Sequence, residues 1–232
     1  DLPPLTEPVM AVDTPPCLGE HAKLRWYYWE NIPGYELDYL HVHPFFPQRP
    51  EGYEEITALA APFNYNNNFG ALVRGYLTVP ESGKYTFNLT GNNNTVFFFS
   101  TDDDPANVQQ VCAVAGSTDE AEHYKYPEQT SPTFYLETGN FYYFEMHQKE
   151  ERYQDFAYMH WNTPAAPDST WEVIAGAYLY DYACNDFCLP KGTSCDDGDP
   201  DTTNDQEDGA CNCAGVPQSQ PDCVGQRGGL EA

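Results

Sequence analysis

Between Gly83 and Thr90 the side chains alternate, with Tyr85, Phe87 and Leu89 apolar and Thr86, Asn88 and Thr90 polar. A period of two over this length marks a strand with one face in a core, because successive Cβ atoms point to opposite sides of a pleated chain. The run ends in the turn residues Asn92-Asn93-Asn94. Val96-Phe97-Phe98-Phe99 beyond it is apolar on both faces, as an interior strand would be. Phe134 and Leu136 alternate likewise, Gly139-Asn140 supplies a turn, and a strand resumes from Phe141 to Met146. Short strands between turn clusters recur from Lys23 to Tyr182, which predicts an all-β chain built as an antiparallel β-sandwich.

The flanks read differently. Residues 1–21 are rich in proline without a sustained apolar period, so they predict an extended arm able to lie along a sheet edge. After Tyr182 large apolar residues nearly vanish, and a segment of that composition cannot build a core alone. The expected division is therefore an arm over 1–21, a sandwich over 22–182 and an acidic, cysteine-rich tail over 183–232. The cysteines Cys17, Cys112, Cys184, Cys188, Cys195, Cys211, Cys213 and Cys223 form an even set, read as disulfides made in an oxidising, extracellular compartment. Cys17 is expected to pair with Cys184 or Cys188, tying arm to tail. A zinc site would want well-separated Cys-x2-Cys pairs, which these spacings do not supply.

With 36 acidic against 10 basic residues and a net charge of −26, the chain lacks the clustered Lys and Arg that nucleic-acid phosphates need. No run of 18 apolar residues is present, so no membrane insertion is expected. The chain begins at Asp1 without a charged and apolar leader, and reads as a mature secreted protein.

An ordered series of phrases resembles the protective-antigen (PA14) β-sandwich family of toxins, flocculins, adhesins and surface proteins. The phrases are Arg74-Gly75-Tyr76-Leu77, Gly83-Lys84-Tyr85-Thr86-Phe87 and Phe97 to Asn107, together resembling the central hairpin, then Tyr135 to Glu145 and Ala157 to Trp161, and Ile174 to Leu179 as the closing strand. The resemblance spans about residues 22–182. It implies that sugar binders of the family hold calcium with two adjacent aspartates, often joined by a cis peptide, in the turn after the Gly-x-Tyr-Thr-Phe strand. This chain has Asn92 and Asn93 there, and Asp155 is the one familiar acid of the second loop. Calcium wants six to eight oxygens, usually including carboxylates, so two neutral amides predict a weakened site, empty of calcium at ordinary concentrations.

Other constellations are weaker. Asp197, Asp199, Asp201, Asp205 and Asp208 reproduce the acidic spacing of a calcium loop, but Thr202 stands where that loop has Gly and no helices flank it. His41-Val42-His43 would place both imidazoles on one strand face, without a third ligand. Asn88-Leu89-Thr90 and Asn93-Asn94-Thr95 are glycosylation acceptors, with Asn88 expected on the outward face and Asn93 at a turn tip. Neither Gly-x-Ser-x-Gly nor His-Glu-x-x-His occurs, and no catalysis is expected. No cofactor is established by the sequence, and calcium is the one candidate. The leading expectation is a non-catalytic subunit of a secreted fibre, coat or matrix whose partners are its own copies and glycans. The alternatives are a carbohydrate-binding adhesin domain with an altered calcium site, and an accessory module of a glycosidase.

Overall fold

The computed structural model describes residues 14–166, 170–184, 191–195, 199–208 and 213–217. Two compact units result, Asp1–Phe187 and Cys188–Ala232. In chain order the first holds β1 (Leu18–His21), β2 (Leu24–Trp29), the single-turn helix α1 (Asp38–His41), β3 (Gly52–Ile56), β4 (Phe69–Leu77), β5 (Gly83–Asn92), β6 (Asn94–Phe99), β7 (Gln109–Val114), β8 (Phe134–Leu136), β9 (Tyr142–Glu150), β10 (Phe156–Asn162), β11 (Glu172–Val173) and β12 (Leu179–Tyr182). One sheet runs β1-β12-β4-β9-β6-β7, with β2 on β4 and β3 on β2, and the second runs β11-β10-β5-β8. The pairings are antiparallel throughout. The all-β sandwich read from the alternation is therefore what forms.

The core lies between the sheets. Trp26, Phe69, Phe97, Phe99, Phe144 and Met146 of the large sheet meet Tyr85, Phe87, Leu89, Met159 and Trp161 of the small one. Burying a large side chain of this kind is worth about 1.5–3 kcal/mol, which is why the inward set of β5 is entirely apolar. Phe87 packs on Phe99 with ring centroids 4.8 Å apart.

Three sequence expectations change. β5 and β6 do not pair as a hairpin, since the chain passes from the small sheet to the large one between Asn92 and Asn94. The closing strand begins only at Leu179, after a 3-10 turn over Gly176–Tyr178. The outer face of β5 is not solvated either. Asn88 and Thr90 are fully buried because residues 115–131 fold across them. Gln129, also fully buried, donates to the carbonyls of Leu89 (2.9 Å) and Glu122 (2.8 Å), and Thr118 and Ser131 accept from the N–H groups of Gly91 and Phe87. Side-chain hydrogen bonds here replace an apolar layer.

Of the arm, β1 lies along β12, with Leu18 opposite Tyr182 and His21 opposite Tyr180. Cys17 is bonded to Cys184, one of its two expected partners, with Cα atoms 5.0 Å apart. Cys112 corrects the reading of eight paired cysteines. It is a free thiol, 1% exposed on β7, whose Sγ–H points at the carbonyl of Phe87, and burial pushes its pKa up, so it packs as a small core residue. In the second unit β13 (Thr202–Glu207) pairs with β14 (Cys213–Pro217), and Cys195 is bonded to Cys213. Cys188, Cys211 and Cys223 lie outside the described residues.

Candidate functional site

Two connections between the sheets run side by side at one end of the sandwich. β5 leads to β6 through Asn92-Asn93, and β9 leads to β10 through residues 151–155. Register brings them together: Asn94 lies opposite Lys149 in the large sheet, and Asn92 opposite Phe156 in the small one. The end of β9 and the residue before β10 thus meet the asparagine turn. Asn92 and Asn93 are joined by a cis peptide. Asn93 Nδ2 donates to Glu150 Oε2 at 2.6 Å and to Asn92 Oδ1 at 2.8 Å.

Glu150 and Asp155 are the chemically distinctive groups of this corner. They are 0% and 1% exposed, yet Glu150 Oε1 and Asp155 Oδ2 have no hydrogen-bond partner. Asp155 Oδ1 accepts from the N–H of Tyr65 at 3.0 Å, and the backbone N–H of Asn66 also acts on this carboxylate. Burial, then the neighbouring charge of Asp155, pushes Glu150 up to about 7, and burial pushes Asp155 up to about 6. Lys149 makes no salt bridge to either among the described residues, although the charge of Glu150 acts on its ammonium. It is fully buried, donates to the backbone carbonyl of Glu150 at 2.6 Å, and burial lowers its pKa to about 8. Two buried carboxylates with idle oxygens cost desolvation energy that a hard, oxygen-seeking cation would offset. The amide oxygens of Asn92 and Asn93 supply further donors, so the residues present fit a divalent cation despite the missing aspartate pair.

The corner opens into a cleft of about 370 Å³ lined by Tyr35, Asn92, Asn93, Ser117, Glu151, Arg152 and Tyr153. Tyr35 and Tyr153 are 50% and 79% exposed. Asn93 accordingly faces into a cleft rather than standing at a turn tip, and the nitrogen that would carry a glycan is held by Glu150.

Asn88 is corrected outright as an acceptor. Its Nδ2 donates to the carbonyl of His123 (2.9 Å) and to Thr130 Oγ1 (2.8 Å), and its Oδ1 lies 2.8 Å from His123 Nδ1. With no room or free nitrogen, the Asn88 peptide should be unmodified by mass spectrometry after secretion from a glycosylating host, and Asn88→Ala should lower stability by about 2–3 kcal/mol in urea titration.

The remaining sequence candidates disperse. His41 ends a helix instead of lying on a strand. Its Nε2 lies 2.9 Å from His147 Nδ1, whose ring continues to Glu145 (2.8 Å), in a chain that also includes Tyr143. Asp199 receives the N–H of Asp201, and no three of Asp199, Asp201, Asp205 and Asp208 gather into a cation-holding cluster among the described residues. Only Asp205 lies on β13, with Asp199 and Asp201 before the strand and Asp208 after it, and Asp197 lies outside the described residues. Sequence reasoning missed Glu150, which reads as a solvated charge at the end of an alternating strand, and Tyr35, which lies in a stretch without periodicity.

Comparison with known proteins places this architecture. The PA14 domain family model matches residues 56–171. The PA14 domain of the MpAFP antifreeze protein superposes with a TM-score of 0.52 at 14% identity, covering 73% of this chain and 95% of that one. The Epithelial Adhesin 9 A domain from Candida glabrata, in complex with Galb1-3GlcNAc, gives a TM-score of 0.50 at 14% identity, covering 75% and 95%. The mouse N-acetyl-beta-glucosaminyl-glycoprotein 4-beta-N-acetylgalactosaminyltransferase 1 is 26% identical over 183 residues, which are 76% of this chain and only 17% of that protein. The chain belongs to the PA14 domain family.

Proposed function

We propose that this chain is an extracellular binding module that holds a glycan at the Asn92–Asn93 corner with the help of a divalent cation. The observation that carries this reading is the pair of unpartnered buried carboxylate oxygens, Glu150 Oε1 and Asp155 Oδ2, beside two asparagine amides at the mouth of an aromatic-walled cleft. Asn92, Asn93, Glu150 and Asp155 would hold the cation. When bound, it supplies positive charge toward sugar hydroxyls, which are neutral oxygen donors. Glu150, at the end of β9, adds one carboxylate to Asp155, the acid already expected in the second loop, and so restores part of the charge that the aspartate pair would carry. The sugar complex of the adhesin neighbour supports the ligand class, and the bonded Cys17–Cys184 and Cys195–Cys213 pairs support an oxidising, extracellular setting. The chemistry of the mouse transferase belongs to a protein of which this chain matches 17%, so the cleft is read as binding rather than catalysing.

A printed glycan array probed with and without chelator tests the reading. Chelator-sensitive binding to a defined set of glycans is expected, and a chain that binds none at millimolar calcium refutes it. Assembly into a fibre or coat is a separate reading that rests on the core-poor flanks, and sedimentation of the full chain across concentration decides it.

A further inference from the structure

One wall of the cleft comes from a stretch that lies before the first residue matched by the family model, Ile56. Residues 30–50 are held on the outer face of the large sheet by a small core of their own, in which Leu40 packs with Tyr27, Trp29, Ile32 and Leu72. Trp29 Nε1 donates to the carbonyl of Phe45 at 3.1 Å, and the N–H of Ile32 to the carbonyl of Asn68 at 2.7 Å. Gly70 is part of the fit, since a Cβ there would collide with Leu40. This stretch is therefore fastened to the sheet by both packing and hydrogen bonds.

Its leading end is fastened to the binding corner itself. Asn94, the residue after the asparagine pair, is 8% exposed and donates from Nδ2 to the carbonyl of Tyr35 at 2.8 Å and to Glu36 Oε2 at 3.3 Å. The backbone of Tyr35 is thus pinned to β6 while its ring stays half exposed over the cleft. A hydrogen bond to Glu36 and the charges of Glu36 and, across the cleft, Glu151 push its phenol above the usual range. On the facing wall Tyr153 carries the guanidinium of Arg152 at 5.6 Å from its ring centroid, and Arg152 is paired with Glu151.

We infer that Tyr35 determines which glycans this cleft accepts, by receiving on its ring the apolar face of a second sugar unit linked to the one held at the Asn92–Asn93 corner. The ligand class is then a di- or oligosaccharide. The inference rests on the glycan-binding reading above. A pinned tyrosine offers large contact area at low conformational cost, and its π-face suits the C–H face of a sugar ring. The volume of about 370 Å³ falls within the roughly 300–1,000 Å³ of small-molecule sites.

The test titrates array-selected disaccharides, and the methyl glycosides of their terminal sugars, into the wild-type chain and into Tyr35→Ala and Tyr35→Phe. Terbium luminescence monitors the cation site in each. The wild type should prefer disaccharides by roughly five- to tenfold. Tyr35→Ala should lose that preference while keeping terbium binding and monosaccharide affinity, and Tyr35→Phe, which keeps the ring, should retain it. Undiminished preference in Tyr35→Ala overturns this inference and leaves the glycan reading standing. A wild type that takes terbium but no sugar overturns both.

Discussion

Glu150→Gln is expected to weaken calcium binding by roughly ten- to 100-fold, because affinity for this ion follows the number of charged oxygen ligands. The same substitution should have the opposite sign on the metal-free protein. Glu150 is pushed up to about 7 from 4.5 in the fold, so between those values the folded state holds a proton that the unfolded state has released. Above about 7 the side chain is charged in both states and the full penalty is present, whereas below about 4.5 it is neutral in both and the penalty vanishes. At about 1.4 kcal/mol per pKa unit, metal-free Glu150→Gln should be more stable than the wild type by about 2–3 kcal/mol at pH 8 and equal to it near pH 4. Comparing variant with wild type at each pH cancels the opposing contribution of His160, whose pKa burial lowers to about 4. Urea titrations at pH 8 should therefore show the variant's advantage in chelator shrink by about 1.4–2.7 kcal/mol in saturating calcium. A gap that calcium leaves unchanged would remove Glu150 from the site.

The second large effect concerns the ends of the first unit. Cys17 and Cys184 are 167 residues apart in sequence, and the bond holds β1 against β12. The chain-entropy treatment gives about 5 kcal/mol for closing a loop of that length, and native proteins deliver about 2–5 kcal/mol. The double variant Cys17→Ser/Cys184→Ser should therefore lose about 3–5 kcal/mol in urea titration. An unaltered midpoint would show that β1 and β12 stay paired by the remaining contacts alone.

How far these features are legible in the sequence differs residue by residue. Tyr85, Phe87 and Leu89 declare the core face of β5 because alternation depends only on local geometry. Asn88 misleads, since its neighbours along the strand look like a solvated face. The segment that buries it uses Gln129, Ser131 and Thr118, which form no apolar period. Asn92 and Asn93 can be placed from the order of strands around them. Glu150 cannot, because its role arises only when two crossovers between sheets lie side by side, a matter of register rather than of spacing. Residues 30–50 escape for a similar reason. Leu40 is the buried anchor of a single-turn helix, and so short an element has no period to detect.

The most direct measurement is a crystal structure of the chain soaked in calcium or terbium, with anomalous data collected for the ion. A single anomalous peak beside Asn92, Asn93, Glu150 and Asp155, with Asn93 unmodified, is the expected result. A corner without a peak at millimolar ion, or a glycan attached to Asn93, would contradict it.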